Sequence, residues 1–224
     1  MSPKPKHWAL MLCLLGGAWG CAGNPHVSVR RLDNNLLQVD GPLAGPFEKL
    51  EDLATKACEL MTNEPGASNG KYGFEYCALY YYSQDGKGFF LSYLSDIRSN
   101  LDPTTKSCEI PRELNDPSRE DAIILGGIHT HPHNRKFSRG DLSAASIWQP
   151  TRIATRGGTQ VFDRTLLMFI RDETGQGSGA CRVYSYNNYT RTVSALRDRQ
   201  WVPIGQVYND AGDLKMFEGK DWLP

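Results

Sequence analysis

The chain of 224 residues lacks an excess of charge: 25 basic residues stand against 25 acidic ones. It also lacks a basic stripe or a block of like charges, so a phosphate backbone finds nothing to neutralise and nucleic acid is excluded as the primary partner. There is no internal repeat and no low-complexity tract, which removes solenoids and repeat arrays. No apolar run reaches the roughly 20 residues that span a bilayer; the longest early one, residues 8–15, is too short. Histidine is scarce, five in all, and none follows His133. That scarcity makes its placement informative, because three of the five fall in IHTHPHNRKFSRGDLSAA (128–145).

The first residues carry a sorting pattern rather than a fold. Lys4, Lys6 and His7 form a positive head, residues 8–15 an apolar core, and small residues follow. The segment ends in GAWGC (17–21), which resembles a bacterial lipobox with Cys21 as the lipidation site. The resemblance implies cleavage before Cys21 and acyl chains on that cysteine, each buried CH₂ adding about 0.8 kcal/mol of membrane affinity. Ala22, next in line, implies sorting to the periplasmic face of the outer membrane rather than to the inner one. An ordinary secretory signal is the plainer alternative. Removing residues 1–20 takes away Lys4 and Lys6 and no acid, so the mature chain is slightly negative.

This reading alters the cysteine count. Cys13 leaves with the signal and Cys21 is lipidated, so Cys58, Cys77, Cys108 and Cys181 remain. In an oxidising compartment they can form two disulfides, with all three pairings open.

The rest of the chain divides into a tether with a short hairpin at 21–45 and one domain at 46–224. Alternation around DNN (33–35) predicts the hairpin. PFEKLEDLATKACELMT (46–62) has helical spacing at Phe47, Leu50, Ala54, Ala57 and Met61, with Pro46 in the first turn. Asp-Gly between aromatic-rich runs predicts a second hairpin over 72–83 and 88–95. Residues 97–120, with Pro103, Pro111 and Pro117, read as a long surface loop. AIILGGI (122–128) reads as a buried strand ending at the histidines, followed by a helix from near Ser138 through 148. Further strands are expected at 165–171 and 181–187 and within 199–217. This order predicts an α+β fold: a mixed β-sheet flanked by helices, with extra C-terminal strands.

His129 and His131, two apart at a strand end, leave the same face with Cα atoms about 6.6 Å apart. Two imidazoles so placed can converge on one ion, and Pro132 then ends the ladder. Asp141 offers a carboxylate from the first turn of the next helix. Two nitrogens and one oxygen suit zinc, and three protein ligands leave the fourth position open, as in catalytic sites. Ser138 and Asp141 also fit an N-terminal capping box, which is compatible with ligation because a capped helix fixes its ligand.

HTHP (129–132) followed by Ser138-x-x-Asp141 resembles the JAMM motif of the MPN-plus metalloproteases. FEYCAL (74–79) extends the resemblance, with Glu75 matching the family's upstream glutamate and Ala78 standing where glycine is common. The resemblance covers roughly residues 46–190. It implies an MPN-like sheet, one zinc ion per chain on His129, His131 and Asp141, and a zinc-dependent peptidase or isopeptidase. Glu75 would act as general base and Ser138 as donor to the oxyanion. With the lipid anchor, the expected substrate is an envelope peptide or protein; the membrane is contacted through the anchor, and the oligomeric state stays open.

Plainer readings stand beside these. His133 and Arg135 are exposed loop residues, His26 is tether surface, and Glu109, Glu113 and Glu120 are solvated acids. Cys77 shares a strand face with Glu75, so it is core, a disulfide partner, or a thiolate that closes the metal site. A non-catalytic binding or assembly lipoprotein on the MPN fold is the alternative function. An amidohydrolase-type barrel is excluded, since it needs about 250 residues and further histidines downstream.

Overall fold

The computed structural model describes residues 23–98, 106–143, 151–155, 158–172 and 179–222. The expected signal segment and Cys21 therefore lie outside the described residues. In chain order the first elements are β1 (Val29–Arg31), β2 (Leu37–Asp40), β3 (Ala44–Phe47), α1 (Leu50–Thr62), β4 (Cys77–Ser83) and β5 (Gly88–Leu91). Next come β6 (Glu113–Asn115), β7 (Ile123–Thr130), α2 (Arg139–Ser143), β8 (Thr151–Thr155) and β9 (Gly158–Phe162). The last are β10 (Thr165–Arg171), β11 (Cys181–Asn187), β12 (Thr192–Arg197), β13 (Gln200–Val207) and β14 (Leu214–Met216).

Nine strands form one mixed sheet in the order β14-β13-β12-β11-β10-β7-β4-β5-β3. Its pairs are antiparallel except β7 with β10 at the centre. The fold is thus α+β and dominated by its sheet, with two α-helices among the described residues. None of these helices is long and apolar enough to cross a membrane.

Strand β10 shows how the sequence builds two cores. Leu167 and Phe169 point to one face and pack with Leu53, Ala57 and Met61 of α1. Leu166, Met168 and Ile170 point to the other and pack with Phe137, Leu142, Tyr184 and Trp222. Period-two alternation in an all-apolar run is what a strand covered on both faces requires. In β7, Gly126 is fixed by close approach, since a Cβ there would sit 1.9 Å from the Thr165 carbonyl and 2.5 Å from the Tyr80 ring.

Several expectations are corrected. Pro46 does not open α1; it lies in edge strand β3, which pairs with β5, and the helix starts three residues after Phe47. Gly45 takes φ +124°, which glycine tolerates, and the register shifts between Ala44 and Phe47, so the Gly45-Pro46 pair forms an irregularity of the edge strand, where proline is accommodated. The 97–120 segment is not all loop: β6 within it runs parallel to β2. Residues 23–45 are not slack chain. The expected hairpin forms as β1–β2, Val27 bridges Leu94, and Leu37 and Val39 are buried. Glu75 is not mid-strand but two residues before β4, held there because Tyr76 exchanges bonds with Thr130 (Tyr76 N–H to Thr130 Oγ1, 2.9 Å; Thr130 N–H to Tyr76 O, 3.0 Å). The helix expected through 148 is seen as α2 over five residues, and the remainder of that expectation, residues 144–148, lies outside the described residues.

Candidate metal centre

β7 delivers both histidines. His129 sits in the ladder between Cys77 of β4 and Met168 of β10. His131, one residue past the strand, keeps one more rung, its N–H donating to the Phe169 carbonyl at 2.8 Å. Pro132 has no N–H and the chain leaves the sheet. It returns at Ser138, where the capping box forms: Ser138 N–H donates to Asp141 Oδ2 at 2.7 Å and Asp141 N–H to Ser138 Oγ at 3.2 Å. The cap turns the Asp141 carboxylate toward the histidines.

The three side chains converge. His129 Nε2 and His131 Nε2 are 3.0 Å apart, Asp141 Oδ1 is 3.5 Å from the first and Asp141 Oδ2 is 3.6 Å from the second. Ligands about 2.1 Å from a tetrahedral ion lie about 3.4 Å from one another, so the trio fits a metal ion with little rearrangement. The proton positions fit as well. His131 Nδ1 faces the Asn134 carbonyl at 3.0 Å, which places the proton on Nδ1 and leaves Nε2 bare toward the centre. His129 Nδ1 is buried and has no hydrogen-bond partner among the described residues. The histidine side chains are 4% and 6% exposed and that of Asp141 22%. The group could hold a metal ion.

Glu75 completes the cluster without joining the ligands: Oε1 lies 4.0 Å from His131 Nε2. It accepts a hydrogen bond from the Cys108 N–H. Burial pushes its carboxyl up to about 7, the Asp141 charge adding to this while His131, the Cys108 N–H and Lys106 oppose it. Burial would raise Asp141 too, but the charges of His129 and His131 and hydrogen bonds to them hold it far below the usual carboxylate range. Two carboxylates in one site are thereby driven in opposite directions, the pattern that separates acid–base roles from ligand roles.

A pH dependence follows for the metal-free protein. The Glu75 carboxyl has an ordinary value of 4.5 and about 7 when folded, so the unfolded chain releases its proton first as pH rises. The folded state is penalised progressively over that interval, and above it by about 3 kcal/mol in full. Chelated wild-type protein is expected to lose stability between about pH 4.5 and pH 7 relative to Glu75→Gln. Equal denaturation midpoints for the two proteins across that range would refute it.

Comparison with family models, with curated proteins and with solved structures gives no match to this chain.

The four side chains lie in a cavity of about 470 Å³, the size of a small-ligand or peptide side-chain site. Ser138 and His133 line it from exposed positions and Pro132 from a buried one. Arg135 turns away to Asp172, and Glu109 to Arg31. The opposite wall is Lys106, Ser107, Cys108 and Ile110, a part of the site that sequence reasoning left in a loop. The sequence offers no signal for it beyond Cys108 itself, whose partner the fold alone identifies. Cys77 bonds Cys108 and Cys58 bonds Cys181, so Cys77 offers no thiolate to the metal and instead fastens this wall beside His129. His26, expected on free surface, is paired to buried Glu64 at 2.7 Å.

Proposed function

We propose that the protein is a zinc-dependent metallopeptidase of the JAMM type, anchored in the bacterial envelope through lipidated Cys21. The observation that supports this most is the convergence of His129, His131 and Asp141 with an unligated, buried Glu75 in one cavity. The donor set of two imidazoles and one carboxylate suits zinc and leaves a position open for water.

His129, His131 and Asp141 would hold the zinc ion, which would supply the Lewis acidity to polarise a scissile carbonyl and acidify water. The chain's own residues do the rest. Glu75, with its affinity for a proton raised by burial, takes one from the attacking water and returns it to the leaving amine. Ser138 Oγ already accepts the Asp141 N–H, so its hydroxyl proton is free to stabilise the oxyanion, a contribution of up to a few kcal/mol. The disulfide-held wall narrows access to a peptide-sized cleft. Peptide or isopeptide bonds of envelope proteins, peptidoglycan cross-links among them, are the substrates that location would supply.

The test is metal content together with hydrolysis of an envelope-derived peptide library. A single zinc per chain, lost in His129→Ala with loss of turnover, supports the reading. Stoichiometric metal with no turnover on any peptide leaves a metal site without the enzyme, and a metal-free protein indifferent to His129→Ala favours a binding or assembly lipoprotein.

A further inference from the structure

We infer that the face bearing Tyr72 and Phe74 rests on the membrane surface, so that the metal cavity opens beside the bilayer. The inference rests on the lipoprotein reading of Cys21 and is independent of the metal chemistry.

The N-terminal segment leaves almost no slack. Asn24 is pinned, its amide donating to Glu64 Oε2 at 2.7 Å and its side chain also hydrogen-bonding Tyr76. His26 holds the other Glu64 oxygen at 2.7 Å, and Val27 bridges Leu94. Two residues, Ala22 and Gly23, separate Cys21 from Asn24, and the three Cα steps reach at most about 11 Å. Acyl chains on Cys21 would therefore draw the surface around Asn24 and Glu64 down to the headgroups, since no flexible linker holds it away.

That surface carries the groups a membrane interface favours. Tyr72 is 72% exposed and Phe74 43%. The Lys71 ammonium lies 4.9 Å from the centre of the Tyr72 ring and the Arg98 guanidinium 4.9 Å from that of Phe74. Aromatic rings at headgroup depth with cations reaching toward phosphate is the composition of interfacial belts. Of the nearby acids, Glu64 is buried and held by Asn24 and His26, and Asp96 is exposed. The patch is continuous with the anchored segment: the Tyr76 hydroxyl donates to the Pro65 carbonyl, the Phe74 N–H to the Gly66 carbonyl, and the Phe74 ring covers Gly66. It is also continuous with the cavity, because Gly73 packs directly on Pro132 and Glu75 is the next residue after Phe74. Peptide segments lying at or emerging from the membrane surface are then the substrates within reach.

The acylated full chain is reconstituted in vesicles of phosphatidylethanolamine and phosphatidylglycerol, with bimane on Tyr72→Cys, Lys71→Cys or, as control, Asp85→Cys in the turn at the far end of β4. Headgroup nitroxide lipids are expected to quench positions 71 and 72 at least about twofold and position 85 little, as for side chains seated at the headgroup boundary. Chelation leaves the pattern unchanged. An acylated chain quenched equally at both ends overturns the membrane contact alone. A mature chain whose intact mass shows no acyl groups overturns the anchor and the contact together. Neither result touches the test of the metal site.

Discussion

Glu75→Gln is expected to lower kcat on a peptide substrate by about 10²–10⁴-fold, the usual range for a lost general acid–base. KM and zinc content should stay near wild type. Glutamine keeps the shape of the side chain and its place before β4, and removes only the ability to carry the proton. Glu75 lies 4.0 Å from His131 Nε2 and falls outside the trio of His129, His131 and Asp141 whose donor atoms converge. A drop in kcat with KM preserved is the signature of an interaction made in the transition state. If the variant loses its zinc, Glu75 is a ligand and the role assigned here is wrong. If it keeps full turnover, another group moves the proton.

Removing the Cys58–Cys181 bond is expected to be the costliest change to stability. The bond joins α1 to the start of β11 over a separation of 123 residues, and closing a loop of that size is worth about 5 kcal/mol in the chain-entropy account. Cys58 is also fully buried against the helix side of the sheet. Equilibrium denaturation of Cys58→Ala/Cys181→Ala against wild type under oxidising conditions measures the loss. A difference below about 1 kcal/mol would mean that the bond does not restrict the unfolded chain as a loop of this length should. The Cys77–Cys108 bond spans 31 residues, for which the same account gives about 1 kcal/mol less. Its removal strikes a different property, because the freed wall takes the Cys108 N–H away from Glu75.

The centre of the molecule was legible from the chain, and its edges were not. IILGGIHT and TLLMFIR announce themselves as buried strands because a strand covered on both faces must be apolar throughout. The histidine pair follows from period two, and Ser138-x-x-Asp141 closes as the capping box that its spacing allows. What failed was whatever depends on a distant partner. Edge strands β3 and β6 carry mixed residues, and nothing local separates AGPF from a helix start or ELN from loop. β12 goes unread although Val193 and Ala195 alternate with half-buried neighbours. Glu75 was found by type and position but assigned to the wrong backbone, since its hold comes from Thr130 and Cys108, far along the chain. The three possible disulfide pairings could be separated only by the fold.

The three candidate ligands stand on backbone of very different durability. The His129 strand is bonded on both sides, to β4 and to β10, so in amide hydrogen exchange it opens only with the whole sheet. Asp141 stands on the five residues of α2, a single turn that can open locally at small cost. Ion binding, which needs all three at once, must therefore slow exchange across 139–143 by linkage while leaving 123–130 almost unaltered. The imidazole half of the site is permanent, and the carboxylate half is conditional on what it binds.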